Sequence, residues 1–266
     1  MSVEFLTYKE SVNFFKNKIR KKELFSVSRI GDGEISLLLN KHNKQIEKKV
    51  CKNWGYSYET EASIAAKDAR SMLLRAMLKS DVIGFLNLTS GREHKIPTGR
   101  GLVGGPHWLM PDSFFVENNI DVSKKIIIDH QFFRSYEFGY IENFKKIIGN
   151  KSIHIISPNA DKVVINLSKY LNNNIKFTKI NKSTKFRQRR KEFNIIKRNV
   201  KEDLVLYGGG LGNKDLGVIL KEELGVSSMD VGATLDAWAG ILSRPWFRPG
   251  RVQDYLVLPK KKRSKR

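Results

Sequence analysis

The chain has 266 residues, with 49 Lys and Arg against 27 Asp and Glu, giving a formal charge of +22. Hydrophobic residues at 40% and aromatics at 10% supply a core, which excludes a disordered chain. There is no apolar run near ~18 residues and no secretory signal in the N-terminal stretch, and a single cysteine, Cys51, excludes an internal disulfide or a cysteine-based zinc site; a soluble, cytoplasmic protein is expected.

Apolar spacing then predicts alternating helices and strands. Residues 8–22 place Val12, Phe15 and Ile19 on one helical face. Residues 24–30 read as a strand that Gly31-Asp32-Gly33-Glu34 breaks, with a helix starting over 35–39. A long helix over 61–79 precedes a strand at 81–86, and residues 87–111, rich in Gly and Pro, read as a long loop of the kind kept for function. Next come a strand at 125–129, a helix at 135–148, a strand at 152–157, a helix at 160–171, a strand at 175–180 and a basic helix at 186–200. A strand at 203–207 runs into Gly208-Gly209-Gly210, followed by a helix at 214–224, a strand at 228–231 and a short helix at 235–241. Near-continuous apolar strands between amphipathic helices predict an α/β fold, Rossmann-like, with a mostly parallel sheet covered by helices on both faces. One domain is expected over 1–258, with a disordered basic tail at 259–266. Such sheets bind ligands at the carboxyl ends of their strands, which selects the loops after Ile30, Asp129, Ser157, Tyr207 and Val231.

Four motifs stand at those ends. Asp32 and Glu34, two residues apart beside Arg29, have the oxygen chemistry for Mg²⁺ or Mn²⁺ bridging the phosphates of a nucleotide. The stretch Gly208-Gly209-Gly210-Leu211-Gly212-Asn213-Lys214 offers backbone N–H groups to phosphate, although it is neither a P-loop nor a full dinucleotide fingerprint. After strand 125–129, Arg134 can clamp a phosphate while Asp129 or His130 serves as a base. Asp230 and Asp236 flank the turn after the last strand, where a carboxylate can face an acceptor hydroxyl. Each motif alone is equally a polar turn or a helix cap; their recurrence at one sheet edge favours phosphate binding. Histidine spacing shows no HExxH pattern, and no GxSxG elbow is present.

The charge concentrates in residues 182–201, with nine basic residues and one acid, and in the tail over 260–266. Basic surface serves nucleic acid, anionic lipid or an anionic substrate. Nucleic acid is disfavoured because no zinc finger, RRM-like aromatic motif or KH-type GxxG accompanies the charge.

The stretch Arg29-Ile30-Gly31-Asp32-Gly33-Glu34 resembles the opening of the GT-D-type glycosyltransferases, first catalogued as a domain of unknown function. Phe133-Arg134-Ser135-Tyr136, the Gly-rich stretch and Asp230-Val231-Gly232 are similar to later segments of that family, in order over most of residues 24–241. The resemblance implies a Rossmann-like fold and a metal-dependent hexosyl transfer from a nucleotide-diphosphate sugar, with UDP expected, to a glycan or glycoconjugate hydroxyl. It implies metal or diphosphate roles for Asp32 and Glu34, a shaping role for Arg29, Gly31 and Gly33, and donor binding by Arg134, Gly208, Gly209, Gly210, Lys214 and Asp230. Asp236 or Asp129 is the expected base for an inverting transfer; the chain departs from the family after Gly232, where Ala233, Thr234 and Leu235 stand in place of a His followed by acidic residues. The basic tail is expected to touch a membrane surface or an anionic acceptor. A nucleic-acid-binding protein with a Rossmann-like core and a metal-dependent phosphohydrolase are the competing readings.

Overall fold

The backbone hydrogen bonds of eight short strands define the architecture. They are β1 (Glu4–Leu6), β2 (Ser26–Arg29), β3 (Val82–Phe85), β4 (Ile126–Asp129), β5 (Ile153–Ser157), β6 (Ile175–Lys179), β7 (Leu204–Tyr207) and β8 (Ser227–Asp230). In the computed structural model, which describes residues 4–39, 44, 48, 59–85, 112–181 and 186–241, they form one sheet in the order β1-β4-β3-β2-β8-β7-β5-β6. Every pairing is parallel, as expected for strands buried on both faces.

Alternation along the strands sorts side chains into two cores. Val27, Ile128, Ile155, Leu206 and Met229 face one layer of helices: α1 (Tyr8–Arg20), α5 (Tyr136–Gly139), α6 (Ile141–Ile148), α7 (Ala160–Leu167) and α10 (Ala233–Trp238). The opposite face is covered by α2 (Asp32–Leu39) and α3 (Glu59–Lys79) over β2–β4, and by α8 (Phe186–Asn199) and α9 (Leu216–Leu224) over β5–β8. A further helix, α4 (Asp112–Glu117), leads toward β4. The chain therefore leaves β2 toward one face and its neighbour β8 toward the other. That reversal makes a crevice between their carboxyl ends, where open α/β sheets bind ligands.

Several elements differ from the expectations. The three-residue edge strand β1 and helix α4 are too short to show a period. Gly31-Asp32-Gly33-Glu34 does not merely break the strand: α2 begins at Asp32 itself. The single helix expected over 135–148 is two, because Tyr140 is extended (φ −79°, ψ 129°). The carbonyl freed at that break, on Gly139, accepts the Trp238 indole N–H at 2.8 Å, so tertiary packing satisfies what the helix gives up. Helix α1 starts on a capping box in which Thr7 Oγ1 accepts the Glu10 N–H and Glu10 accepts the Thr7 N–H. The expected loop at 87–111, Cys51, residues 182–185 of the basic cluster and the tail at 259–266 lie outside the described residues. No helix among the described residues is long and apolar enough to cross a membrane.

Helix α9 approaches the sheet centre at Gly217. A Cβ there would lie 2.7 Å from Tyr207 Oη and 2.9 Å from Ser228 Oγ. Both hydroxyls are tied down, Tyr207 donating to the Val27 carbonyl and Ser228 to the Gly217 carbonyl. Gly217→Ala should therefore destabilise the protein by about 1–3 kcal/mol from overpacking. Helix propensity alone would instead favour alanine by about 1 kcal/mol. Urea denaturation decides the sign, and a stabilised variant would refute the tight packing.

Candidate active site

The carboxyl end of β2 delivers Arg29 into the crevice, and the end of β8 delivers Asp230. Arg29 Nη2 and Nε donate to Asp230 Oδ1 at 3.3 and 3.4 Å. The other Asp230 oxygen accepts from Lys214 Nζ at 2.8 Å. The same ammonium donates to the Arg29 carbonyl at 2.8 Å and stands 3.2 Å from Glu34 Oε1. Glu34 Oε2 accepts the Gly31 N–H at 3.1 Å. Two cations and two carboxylates thus close into a buried, neutral ring spanning β2, the first turn of α2, the loop after β7 and the end of β8. Burial alone would raise the Asp230 carboxyl, but Lys214 and Arg29 outweigh it and hold the group below its ordinary value.

Gly232 makes room for this ring. Its φ of +48° suits glycine, and a Cβ there would lie 1.6 Å from Arg29 Nη2, so any side chain would evict the guanidinium. The loop after β7 packs directly beneath: Gly208 lies against the Gly232 backbone, and Gly209 lies against Asn213 and Ile180. Gly210 leads into the 3₁₀ turn Leu211–Asn213. The buried Asn213 carries an amide nitrogen, Nδ2, with no hydrogen-bond partner. An orphaned buried donor on a glycine-rich loop is suited to an anionic ligand oxygen.

A second cluster ends β4. Asp129 Oδ1 accepts the Gln131 N–H at 2.8 Å and Oδ2 accepts the Tyr8 hydroxyl at 3.0 Å. Burial pushes the Asp129 carboxyl up, yet the His130 ring 3.5 Å away and the hydrogen bond from the Gln131 backbone outweigh it and hold it below the usual range. Burial drives the His130 imidazole down, opposed by Asp129 and reinforced by Arg134 and Arg29, which keeps the ring neutral near pH 7. Its Nε2 meets the Gln131 amide at 2.9 Å. Only Gly84 separates His130 from Arg29, since a Cβ there would touch both. Asp236, in the first turn of α10, is held from elsewhere: its Oδ1 accepts Asn159 Nδ2 at 3.2 Å from the loop after β5.

The structure therefore gathers Arg29, Gly31, Glu34, Lys214 and Asp230 into one ring, with Gly208–Gly210 beside it. Asp129 ends β4 and Arg134 follows it, one strand beyond β3, and Asp236 stands apart. Asp32 and Gly33 open α2, and the Asp32 side chain lies outside the description. Lys214 is an internal counter-ion, because its ammonium is already surrounded by acceptors. Asn213 was within the quoted glycine stretch but had no distinguishing residue type. Tyr8 and Asn159 reach their carboxylates across 121 and 77 residues, a distance over which no local pattern signals contact.

A parallel sheet with a switch-point crevice, an ionic ring and a glycine-rich loop at its carboxyl ends defines a Rossmann-like α/β protein. The chain belongs to the GT-D-like family: the model of the GT-D fold-like domain matches residues 6–238. Among solved structures it is similar to one described as a new glycosyltransferase (DUF1792) from Streptococcus sanguinis, at 17% identity and TM-score 0.55, covering 88% of this chain and 82% of that one. It is likewise similar to one described as the highly conserved domain of unknown function 1792 with a distinct glycosyltransferase fold, at 17% identity and TM-score 0.54, covering 90% and 80%. A selenomethionine-substituted structure of the same domain matches at TM-score 0.55 and 17% identity, covering 87% and 79%. No curated protein sequence matches the chain significantly.

Removing Lys214 leaves two buried carboxylates short of a counter-charge, so Lys214→Met should cost about 3–5 kcal/mol in urea denaturation. The depressed Asp230 carboxyl contributes stability that is complete above its unfolded value of 3.8 and is lost as pH falls through the folded value. Without Lys214 that folded value rises, so acid unfolding of the variant should begin at a higher pH than in the parent. Identical acid limbs for the two proteins would contradict the ring.

Proposed function

We propose that the chain transfers a hexosyl group from a nucleoside diphosphate sugar, with UDP as the nucleotide, to a hydroxyl of a glycan or glycoconjugate. The observation that carries this reading is the convergence of three strand-end motifs on the Arg29–Asp230–Lys214–Glu34 ring, at the switch point of a GT-D-like fold. For a diphosphate bound at the crevice, the proposed donors are Arg29, already paired with Asp230, the Asn213 amide, Arg134 and backbone N–H groups around Gly209, which would offset the charge that grows as the diphosphate leaves.

A divalent cation, Mn²⁺ or Mg²⁺, belongs to the reading. Among the described residues no three His, Cys, Asp or Glu side chains converge on a metal position. Such ions are commonly held by one or two carboxylates with phosphate oxygens completing the shell. Glu34 is a hard oxygen donor in the first turn of α2, but Oε1 stands against the Lys214 ammonium and Oε2 accepts the Gly31 N–H, so a cation arriving with the diphosphate would have to displace one of these; Asp32 is the proposed partner. When bound, the cation supplies Lewis-acid stabilisation of the leaving diphosphate.

For the proton of the acceptor hydroxyl, the hydrogen bonding of the two candidates favours Asp236. Both Asp129 oxygens are engaged and its carboxyl is held low, which makes a weak base. Asp236 spends one oxygen on Asn159 and is half-buried in the first turn of α10, the helix that follows β8. We assign the base role to Asp236 and a positioning role to Asp129. The basic tail adds a salt-sensitive contact to an anionic surface or acceptor.

Calorimetry with UDP-sugar, with and without Mn²⁺, tests donor binding. Asp32→Ala and Glu34→Gln should each abolish the metal-dependent part, and unchanged affinity in both folded variants would remove the metal assignment. Asn213→Ala should weaken UDP binding about 5–10-fold, the size of one hydrogen bond, while stability changes by less than about 1 kcal/mol, because a buried donor without a partner is deleted. Asp236→Asn should lower transfer by about 10²–10⁴ with donor affinity intact. Equal turnover of Asp236→Asn and the parent protein would move the base elsewhere.

A further inference from the structure

Strand β6 ends the sheet, and its outer edge pairs with no strand among the described residues. Three large apolar side chains are exposed beside it: Ile165 at 61%, Phe177 at 44% and Ile195 at 42%. Side-chain bonds nearby fix where each one faces. Asp161 on α7 pairs with Lys179 on β6 at 2.8 Å, so that side of α7 borders the edge strand. Ile165 lies one helical turn beyond Asp161, and Phe177 lies two residues before Lys179 on the same sheet face. Helix α7 runs back along the sheet after β5, so Ile165 and Phe177 are brought side by side.

On the other face, Asn199 of α8 donates to Thr178 Oγ1 at 3.4 Å, and Glu192 accepts the Asn181 N–H at 3.2 Å just past β6. Lys197, by contrast, pairs with Glu223 of α9, away from the edge. Ile195, between Glu192 and Asn199 in sequence and close to both in helical phase, therefore turns toward the edge strand as well. All three apolar side chains share one margin of the molecule.

That margin is strongly basic. Lys169, Lys176, Lys179, Lys191 and Arg198 are exposed around it. Its two acids are already engaged, Asp161 with Lys179 and Glu192 with Asn181. Lys176, Lys191 and Arg198 form no ion pair with a described residue.

We propose that this margin docks the protein on an anionic lipid bilayer, with Ile165, Phe177 and Ile195 entering the headgroup–acyl boundary and the surrounding cations meeting lipid phosphates. Charge complementarity selects this occupant. A second copy joined edge to edge would set Lys176 and Lys179 against their own like charges, on a chain already at +22. Single-stranded nucleic acid is held by stacking on aromatic rings, and this margin offers one ring and two aliphatic side chains, which gain from hydrocarbon and not from stacking. The proposal stands apart from the transferase reading, since docking is measured without substrate.

The test is co-sedimentation of the intact 266-residue chain with vesicles of phosphatidylglycerol and phosphatidylcholine, and with phosphatidylcholine alone. Binding is expected only to the anionic vesicles and should weaken with salt as the Debye length shrinks to about 8 Å at physiological strength. The variant Ile165→Gln/Phe177→Thr/Ile195→Gln and, separately, Lys176→Glu/Lys191→Glu/Arg198→Glu should each lower the partition coefficient about tenfold or more. Circular dichroism should show both variants folded, and the two act on different side chains, so misfolding of one leaves the other to decide. Parent-like binding by the folded apolar variant would overturn the proposal, reducing the contact to generic charge. Failure to bind anionic vesicles, or binding to single-stranded RNA in their place, would overturn it equally.

Discussion

A lysine ammonium taken out of water must be given acceptors in return, and Lys214 finds three within one crevice. The cost of burying an ion is met only where partners are held in place beforehand. Here they come from separate parts of the chain: Asp230 from β8, the Arg29 carbonyl from β2 and Glu34 from the start of α2. Arg29 completes the balance on Asp230, so the ring carries no net charge. Because each member is fixed by another, the ends of two strands and the two loops beside them are tied together. The Lys214 backbone carbonyl adds a further tie, accepting from Ser28 Oγ at 2.9 Å.

This ring explains why the centre of the sheet is built from small residues. Ser26, Ser28 and Ser228 are buried where larger apolar side chains would fill a typical parallel sheet. Gly217 admits the Tyr207 and Ser228 hydroxyls, while Gly232 admits the Arg29 guanidinium. Close approach of α9 and of the loops after β7 and β8 is what brings Lys214 within reach of β2. The apolar content needed for stability is carried instead by the aromatic cluster of Phe15, Phe132, Phe133, Phe138 and Trp238 beneath the opposite face. Thr234 Oγ1 donates to the Phe133 carbonyl at 2.7 Å, which ties α10, and with it Asp236, to that cluster.

The electrostatics divide the molecule by location. The crevice balances its charges internally and leaves the buried Asn213 Nδ2 without a partner. Much of the described excess of positive charge lies outward, along α8 and the β6 margin. Arg189 connects the two regions through its ion pair with the buried Asp215, next to Lys214 in sequence. The basic helix is thereby anchored to the glycine-rich loop by one cation, while Arg190, Lys191 and Arg198 face outward.

The alternating pattern, the α/β class and the strand ends that carry Arg29, Asp129, Tyr207 and Asp230 follow from sequence, because apolar period and glycine-rich turns are local properties. The similarity of Arg29–Glu34 to a family opening is local in the same sense. Tertiary structure alone decided the strand order, which depends on crossovers spanning many residues. It decided that 135–148 would divide at Tyr140, where the distant Trp238 satisfies the freed Gly139 carbonyl. The partner of a buried charge is equally beyond local reading. Lys214 follows a glycine loop, a place suited to phosphate, yet folding surrounds it with carboxylates from residues 34 and 230. An ammonium in a buried crevice takes whichever acceptors the chain brings to it, and that is set by the whole path of the backbone.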